Sequence, residues 1–416
     1  MNFLRGFSFN ATTTGLIFFL GFFNQALLAE HLGQANFGHL KLWFTTVLLA
    51  SLFLGEWLSK GNTYVMGKGE GKGAVICNTL IYGLGLGLLL LLIAGFCMHF
   101  TGSFFLEINQ FQWPLLAGLI VLTLMQKSGQ SIVLGEDRIK VYSLIPVVFI
   151  VVYLGGNVLL LGVWDLVLEK VLLVWFSAVA LTVLLAFIPL VKGVERFSMN
   201  MAVFKRVLYV GGRGSVSVIL IFLLFRSNVY LIDYFLGKKF VGVYAVATIF
   251  ADMMQRLPNI AGVVLLPKVI RGQGEVLTLR VAQGTLLFSL VAAASLALSG
   301  KFFLMLFFPA YADAYGVLLW MLPGLVFAGF GSVFNVALAG QAYPALTLWA
   351  PALALALNLT VNWALIPVLG LRGAALSTSI AYGAWALLVT GYYLRRANLS
   401  WWGFLDVSQL RQTFAK

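Results

Sequence analysis

Twelve stretches of this chain, each about twenty residues long, are written almost wholly in apolar residues, and that leaves few folds open. A bilayer core ~30 Å thick is crossed by ~20 helical residues at ~1.5 Å each. Apolar runs bounded by Gly, Pro, Asn and charge place the spans near 9–31, 37–59, 74–99, 113–135, 141–162, 168–191, 211–236, 240–266, 279–299, 315–339, 344–367 and 374–394. Inside lipid every backbone N–H and C=O must be bonded within the segment, so each span is expected to be a helix. Composition agrees: 61% of the 416 residues are hydrophobic and 10% charged, against roughly 45–50% and ~25% in soluble domains. No soluble domain fits between any two spans. The stretch 300–310, GKFFLMLFFPA, is too short to cross and reads as an interfacial piece.

Lys and Arg set the orientation. With the N-terminus inside, the inner segments carry 18 of them, from Arg5, Lys60, Lys68 and Lys72 to Arg395, Arg396, Arg411 and Lys416. The outer segments carry five: Lys170, Lys238, Lys239, Lys301 and Arg372. Both termini are therefore expected in the cytoplasm. The formal charge of +13 is a positive-inside signal plus attraction to anionic lipid, not the footprint of a nucleic-acid partner.

The chain also repeats itself. GFFNQALLAEHLGQANFG at 21–38 aligns without a gap on FRSNVYLIDYFLGKKFVG at 225–242. Asn24 falls on Asn228, Leu27 on Leu231, Leu32 on Leu236, Gly33 on Gly237 and Gly38 on Gly242. A weaker echo pairs Asn157 with Asn358. The recurrence also excludes a secretory signal at the N-terminus, since no signal peptide could stand at 225. Six spans separate the copies, an even number, so the halves insert in the same direction, as in transporters built from parallel repeats. The expected organisation is a six-helix bundle over 1–192, a cytoplasmic amphipathic linker over 193–210, a second six-helix bundle over 211–398 and a cytoplasmic tail over 399–416. This is an all-α polytopic membrane protein, with about 12 transmembrane helices in two pseudo-symmetric bundles around a central cleft.

Several motifs resemble one family. LGKKFVGVYAVATIFADMMQRLPNIAGVVLLPKV at 236–269, LALNLTVNWALIPVLGLRGAALSTSIAYG at 355–383 and LLAEHLGQANFG in the first hairpin resemble the signatures of polysaccharide flippases. The chain is similar throughout to the Wzx-like polysaccharide transporter branch of the multidrug/oligosaccharidyl-lipid/polysaccharide exporter superfamily. That resemblance implies alternating-access movement of a polyprenyl-diphosphate-linked oligosaccharide, such as an O-antigen repeat unit, from the inner to the outer leaflet. It implies the bacterial cytoplasmic (inner) membrane, membrane lipids as surroundings, and a polysaccharide polymerase and chain-length regulator as candidate partners. A monomer is the expected working form, with no cofactor beyond a coupling H+ or Na+. Two departures bear on the branch. Lipid II flippases of the superfamily carry two further C-terminal helices, and ion-coupled drug exporters usually place an acidic residue in span 1, where none precedes Glu30. An ion-coupled drug or metabolite exporter is the alternative. A membrane enzyme is disfavoured, because no nucleophile–base or metal constellation appears.

An ionisable side chain near the bilayer centre costs ~2.5–3.5 kcal/mol on insertion scales and asks for a reason. Arg226 stands mid-span 7, Asp252 mid-span 8 and Arg256 one turn further. The i,i+4 spacing lets Asp252 hold Arg256, while Arg226 and Asp233 share a face. The functional reading makes Arg226 and Arg256 a diphosphate site, since a guanidinium bonds phosphate bidentately and keeps its charge. The structural reading is a network clamping spans 7 and 8. Lys41 either faces a cavity or snorkels. Glu56 is a candidate coupling or gating carboxylate, and Lys127 a candidate vestibule residue. Asn24 and Asn228 either face each other and bond sugar hydroxyls or bond between helices. GKGEGKG at 67–73 lacks the spacing and Ser/Thr of a P-loop, His31, His39 and His99 lack metal-ligand spacing, and Cys77 and Cys97 lie too far apart on one helix to bridge.

Overall fold

The computed structural model describes residues 3–69, 71–100, 112–163, 165–192, 194, 197–270, 275–340, 345–401 and 404. Twelve α-helices follow one another among them: α1 Phe3–Gly67, α2 Lys72–Phe100, α3 Trp113–Gly135, α4 Ile139–Val163, α5 Leu168–Val191, α6 Met201–Arg226, α7 Asn228–Leu236, α8 Lys238–Ile270, α9 Glu275–Phe307, α10 Ala314–Gly340, α11 Leu346–Leu369 and α12 Leu371–Arg396. A 3-10 turn, Pro309–Tyr311, precedes α10. Eleven of the described helical segments are long and apolar enough to cross a membrane. Drawn straight, the 65 residues of α1 would reach about 98 Å, three times a bilayer core. They do not run straight, because the backbone leaves helical geometry at Gly33 (φ 71°, ψ 170°). α1 therefore supplies two crossings, and the described residues make twelve. The chain is an integral membrane protein.

Gly237 repeats that break with φ 89° and ψ 171°, closing α7 as its N–H bonds back to the carbonyls of Ile232 and Asp233. A Cβ strains a backbone at positive φ, which is why glycine recurs at both places.

The chain divides into two compact units, Met1–Ile219 and Leu220–Lys416. Within the first, α1 packs on α3 and α4, α2 on α3, and α5 on both α3 and α4. Within the second, α8 packs on α10 and α7 on α11, with α9 and α12 on α10 and α11 on α12. Counted as crossings, the two sets match: second on fourth and eighth on tenth, first on fifth and seventh on eleventh, fourth on sixth and tenth on twelfth. The repeat in sequence is thus a repeat in packing. Unit 1 closes around Leu58, Val65, Ile76, Leu124, Ile132 and Val207, all nearly fully buried. By contrast α9 leaves Leu298 87%, Phe302 65% and Val291 58% exposed, as a helix apolar on all sides does when lipid is its solvent.

Two expectations need correction. Residues 300–307 are not a separate interfacial piece; they extend α9, because no breaker stands between Gly300 and Pro309 and the residue before that proline, Phe308, turns to φ −141°. Nor does the second half begin at 211 after a linker. Helix α6 runs unbroken from Met201, and the boundary between units falls inside it. Its first turns belong to unit 1, where a Cβ on Gly211 would come 1.7 Å from the Trp57 carbonyl oxygen and one on Gly61 2.2 Å from that of Val207. Two backbones touch there, a contact only glycine permits. Nearby, the half-buried Glu136 carboxylate ties Lys72 (2.7 Å) to Arg138 (3.0 Å), and Arg138 donates to the Pro189 carbonyl at 3.1 Å. Ends of α2, α3, α4 and α5 are bound together in this way.

Candidate functional site

The mid-membrane charges come together in unit 2. Arg226 ends α6 at the midpoint of the Ser215–Leu236 crossing, and Asp252 lies near the middle of the Lys238–Gly262 crossing on α8. Arg226 Nη2 donates to Asp252 Oδ2 at 2.7 Å. Asp252 thus holds Arg226, where spacing along the helix had assigned it to Arg256; the neighbouring crossing brings the nearer guanidinium. Pairing offsets the cost of placing each charge at that depth. The side chains keep 34% and 47% of their surface exposed, so the pair is open on the face of unit 2 rather than sealed in its core. Arg256, one turn on, is also exposed.

Directly after Arg226 begins a chain of neutral polar groups. Asn228 Nδ2 donates to the Tyr244 hydroxyl at 2.8 Å and to Thr378 Oγ1, and those two hydroxyls lie 3.1 Å apart. Asn362 Nδ2 donates to Asn228 Oδ1 at 2.8 Å and to Asn358 Oδ1 at 3.0 Å. Ser227 Oγ reaches Asn358 Oδ1 at 3.4 Å. Helices α7, α8, α11 and α12 all contribute. Asn228, Tyr244, Asn358, Asn362 and Thr378 are each no more than 1% exposed.

Unit 1 carries the counterpart. Asn157 Nδ2 donates to Asn24 Oδ1 at 2.9 Å, joining α4 to the first limb of α1. Both asparagines are buried, at 0% and 1%. The two sequence echoes, Asn24 with Asn228 and Asn157 with Asn358, thus fall on corresponding helix pairs, but the bonding differs: Asn24 meets Asn157 directly, whereas Asn228 and Asn358 are both bonded by Asn362. Asn24 and Asn228 are enclosed in their own units, and of the two roles their sequence left open this geometry fits the bond between helices.

Other candidates lie apart from that network. Lys41 Nζ donates to Gln25 Oε1 at 2.6 Å across the Gly33 break and stands 4.9 Å above the Phe37 ring. Glu56 has Lys60 one turn away at 3.9 Å and Lys127 of α3 within electrostatic reach. Asp233 is half-buried on α7, a different helix from Arg226, and the carboxylate on Arg226 is that of Asp252. Gln25 and Thr378 were missed in the sequence. For Thr378 the signal was there as Ser377-Thr378-Ser379, three hydroxyls in an otherwise apolar span; for Asn362 it was the i,i+4 step from Asn358.

No protein-family model matches the sequence, and no curated protein does. Solved structures do match in fold. An inward-facing multidrug resistance MATE family transporter of the MOP superfamily superposes with a TM-score of 0.75 at 16% identity, over 94% of this chain and 96% of its own. Lipid II flippase MurJ, in an inward closed conformation, gives 0.79 at 15% identity over 98% and 91%. The Vibrio cholerae MATE transporter VcmN gives 0.67 at 15% identity over 95% and 97%. The chain therefore shares its fold with these transporters and with this flippase. Two of these three are MATE transporters and the third is a lipid II flippase.

Proposed function

We propose that this protein is a flippase that moves polyprenyl-diphosphate-linked oligosaccharide repeat units from the cytoplasmic to the outer leaflet of a bacterial inner membrane by alternating access. The observation that carries the reading is the Arg226–Asp252 pair. It is a guanidinium at mid-membrane depth, open on one side and held by a single carboxylate oxygen at 2.7 Å. Arg226 keeps further N–H donors for a diphosphate, which its planar fork matches, and the exposed Arg256 adds a second cation on the same helix as Asp252. Asp252 orients the empty guanidinium and gives way to phosphate oxygens when the headgroup enters. The buried Asn228–Asn362–Thr378 network fixes α7 against α11 and α12, so Arg226 is presented from a rigid frame. Glu56, Lys60 and Lys127 form a separate charged group in unit 1, suited to gating or to carrying a coupling ion.

The test is the lipid-linked oligosaccharide pool at the inner leaflet. Deleting the protein should raise it, and adding back Arg226→Ala or Arg256→Ala at normal membrane abundance should not clear it. Clearance by both variants would keep the function and remove the arginine site. An unchanged pool on deletion would favour an ion-coupled drug or metabolite exporter, a reading supported by the fold shared with multidrug MATE transporters.

A further inference from the structure

A groove of about 540 Å³ runs between α4 and α5 of unit 1. Val152, Gly156 and Leu160 line it from α4, at i, i+4 and i+8; Leu173, Val174 and Ser177 line it from α5. Eight residues of α4 make it about 12 Å long. The opposite sides of both helices are core, with Tyr153, Asn157, Val171 and Trp175 buried. Its flanks are exposed and apolar: Leu159 68%, Leu173 55%, Val151 and Val158 49% each. Gly156 sets the floor, since a Cβ there would meet Val174 Cγ1 at 2.4 Å. Ser177 Oγ is bonded to the Leu173 carbonyl at 2.9 Å, which leaves the trough apolar along its length.

Charge appears only at one end. Lys170, in the first turn of α5, lines the rim, its ammonium 3.5 Å from the Asp165 carbonyl. The exposed carboxylates of Asp165 and Glu169 stand within five residues of it. This is the end that the Lys/Arg distribution puts outside. An apolar trough with one cation at its outer mouth, and two exposed carboxylates five and one residues before that lysine in the chain, matches a lipid whose headgroup holds both a phosphate and a primary amine. A headgroup with net negative charge meets, in the segment 165–170 that carries the lysine, a net charge of −1 (+1 from Lys170, −2 from Asp165 and Glu169). We propose that this groove binds an outer-leaflet phosphatidylethanolamine-class phospholipid, its acyl chain along Val152–Leu160, its phosphate on Lys170 and its amine on Asp165 and Glu169.

Native mass spectrometry of the full chain, extracted from vesicles of equimolar phosphatidylethanolamine and phosphatidylglycerol, tests this. The wild type should retain phosphatidylethanolamine in excess. Lys170→Gln should lower its occupancy about tenfold, the loss of one charge-assisted bond. Ser177→Trp, an exposed position inside the trough, should displace the acyl chain without touching the core. Asp165→Asn with Glu169→Gln should turn the preference towards phosphatidylglycerol. Equal retention of both lipids by the wild type, or an excess unchanged in Lys170→Gln and Ser177→Trp, would overturn the proposal.

Discussion

Arg226 illustrates how much a single residue's meaning depends on its neighbour. Alone at mid-membrane it would cost several kcal/mol; beside Asp252 it becomes an oriented, partly open cation. Asp252→Asn removes the counter-charge but keeps a hydrogen-bonding side chain, so membrane abundance should hold while headgroup release slows. Arg226→Lys should transport measurably less than wild type but more than Arg226→Ala, because an ammonium keeps the charge and loses the fork. Initial rates of headgroup movement in reconstituted vesicles separate the three. The buried asparagines answer to a different measurement. Asn24→Ala or Asn157→Ala breaks the 2.9 Å bond between α1 and α4 and should cost about 0.6–2 kcal/mol. The corresponding fall in thermal midpoint in detergent should appear without any change in the headgroup affinity of folded protein.

At the scale of elements, glycine decides where helices stop and where they touch. Gly33→Ala and Gly237→Ala place a Cβ at φ 71° and 89°, and each should destabilise by about 1–2 kcal/mol. Gly211→Val acts by another route, forcing a side chain against the Trp57 carbonyl and prying the start of α6 from α1. Overpacking of that kind costs about 1–3 kcal/mol, read as a lower thermal midpoint. The double glycine breaks were legible beforehand, because Leu-Gly-x4-Gly recurs in a fixed frame. The length of α9 was not. A run of Phe, Leu and Met looks the same whether it lies on the interface or continues a helix, and only the break at Pro309 separates the two.

For the whole molecule, the unequal sharing of Lys and Arg makes a prediction of its own. Cysteines placed at Gly69 and at Asp165, in a background lacking Cys77 and Cys97, should label from opposite sides of the membrane, Gly69 from the cytoplasm. Labelling of both from one side would overturn the twelve-crossing count. Sequence by itself determined that count, the helical form of each crossing and the equivalence of the halves, because lipid leaves the backbone no other way to satisfy its polar groups and because a repeat in chemistry is a repeat in fold. It also marked Arg226 and Asp252, since a charge among apolar residues cannot be hidden. Which cation Asp252 holds, and that Asn24 meets Asn157 while Asn228 meets Asn362, only the tertiary structure decided. Those contacts join residues more than twenty, and in two cases more than a hundred, positions apart. The packing of one crossing against another selects them, and no spacing along a single helix can encode it.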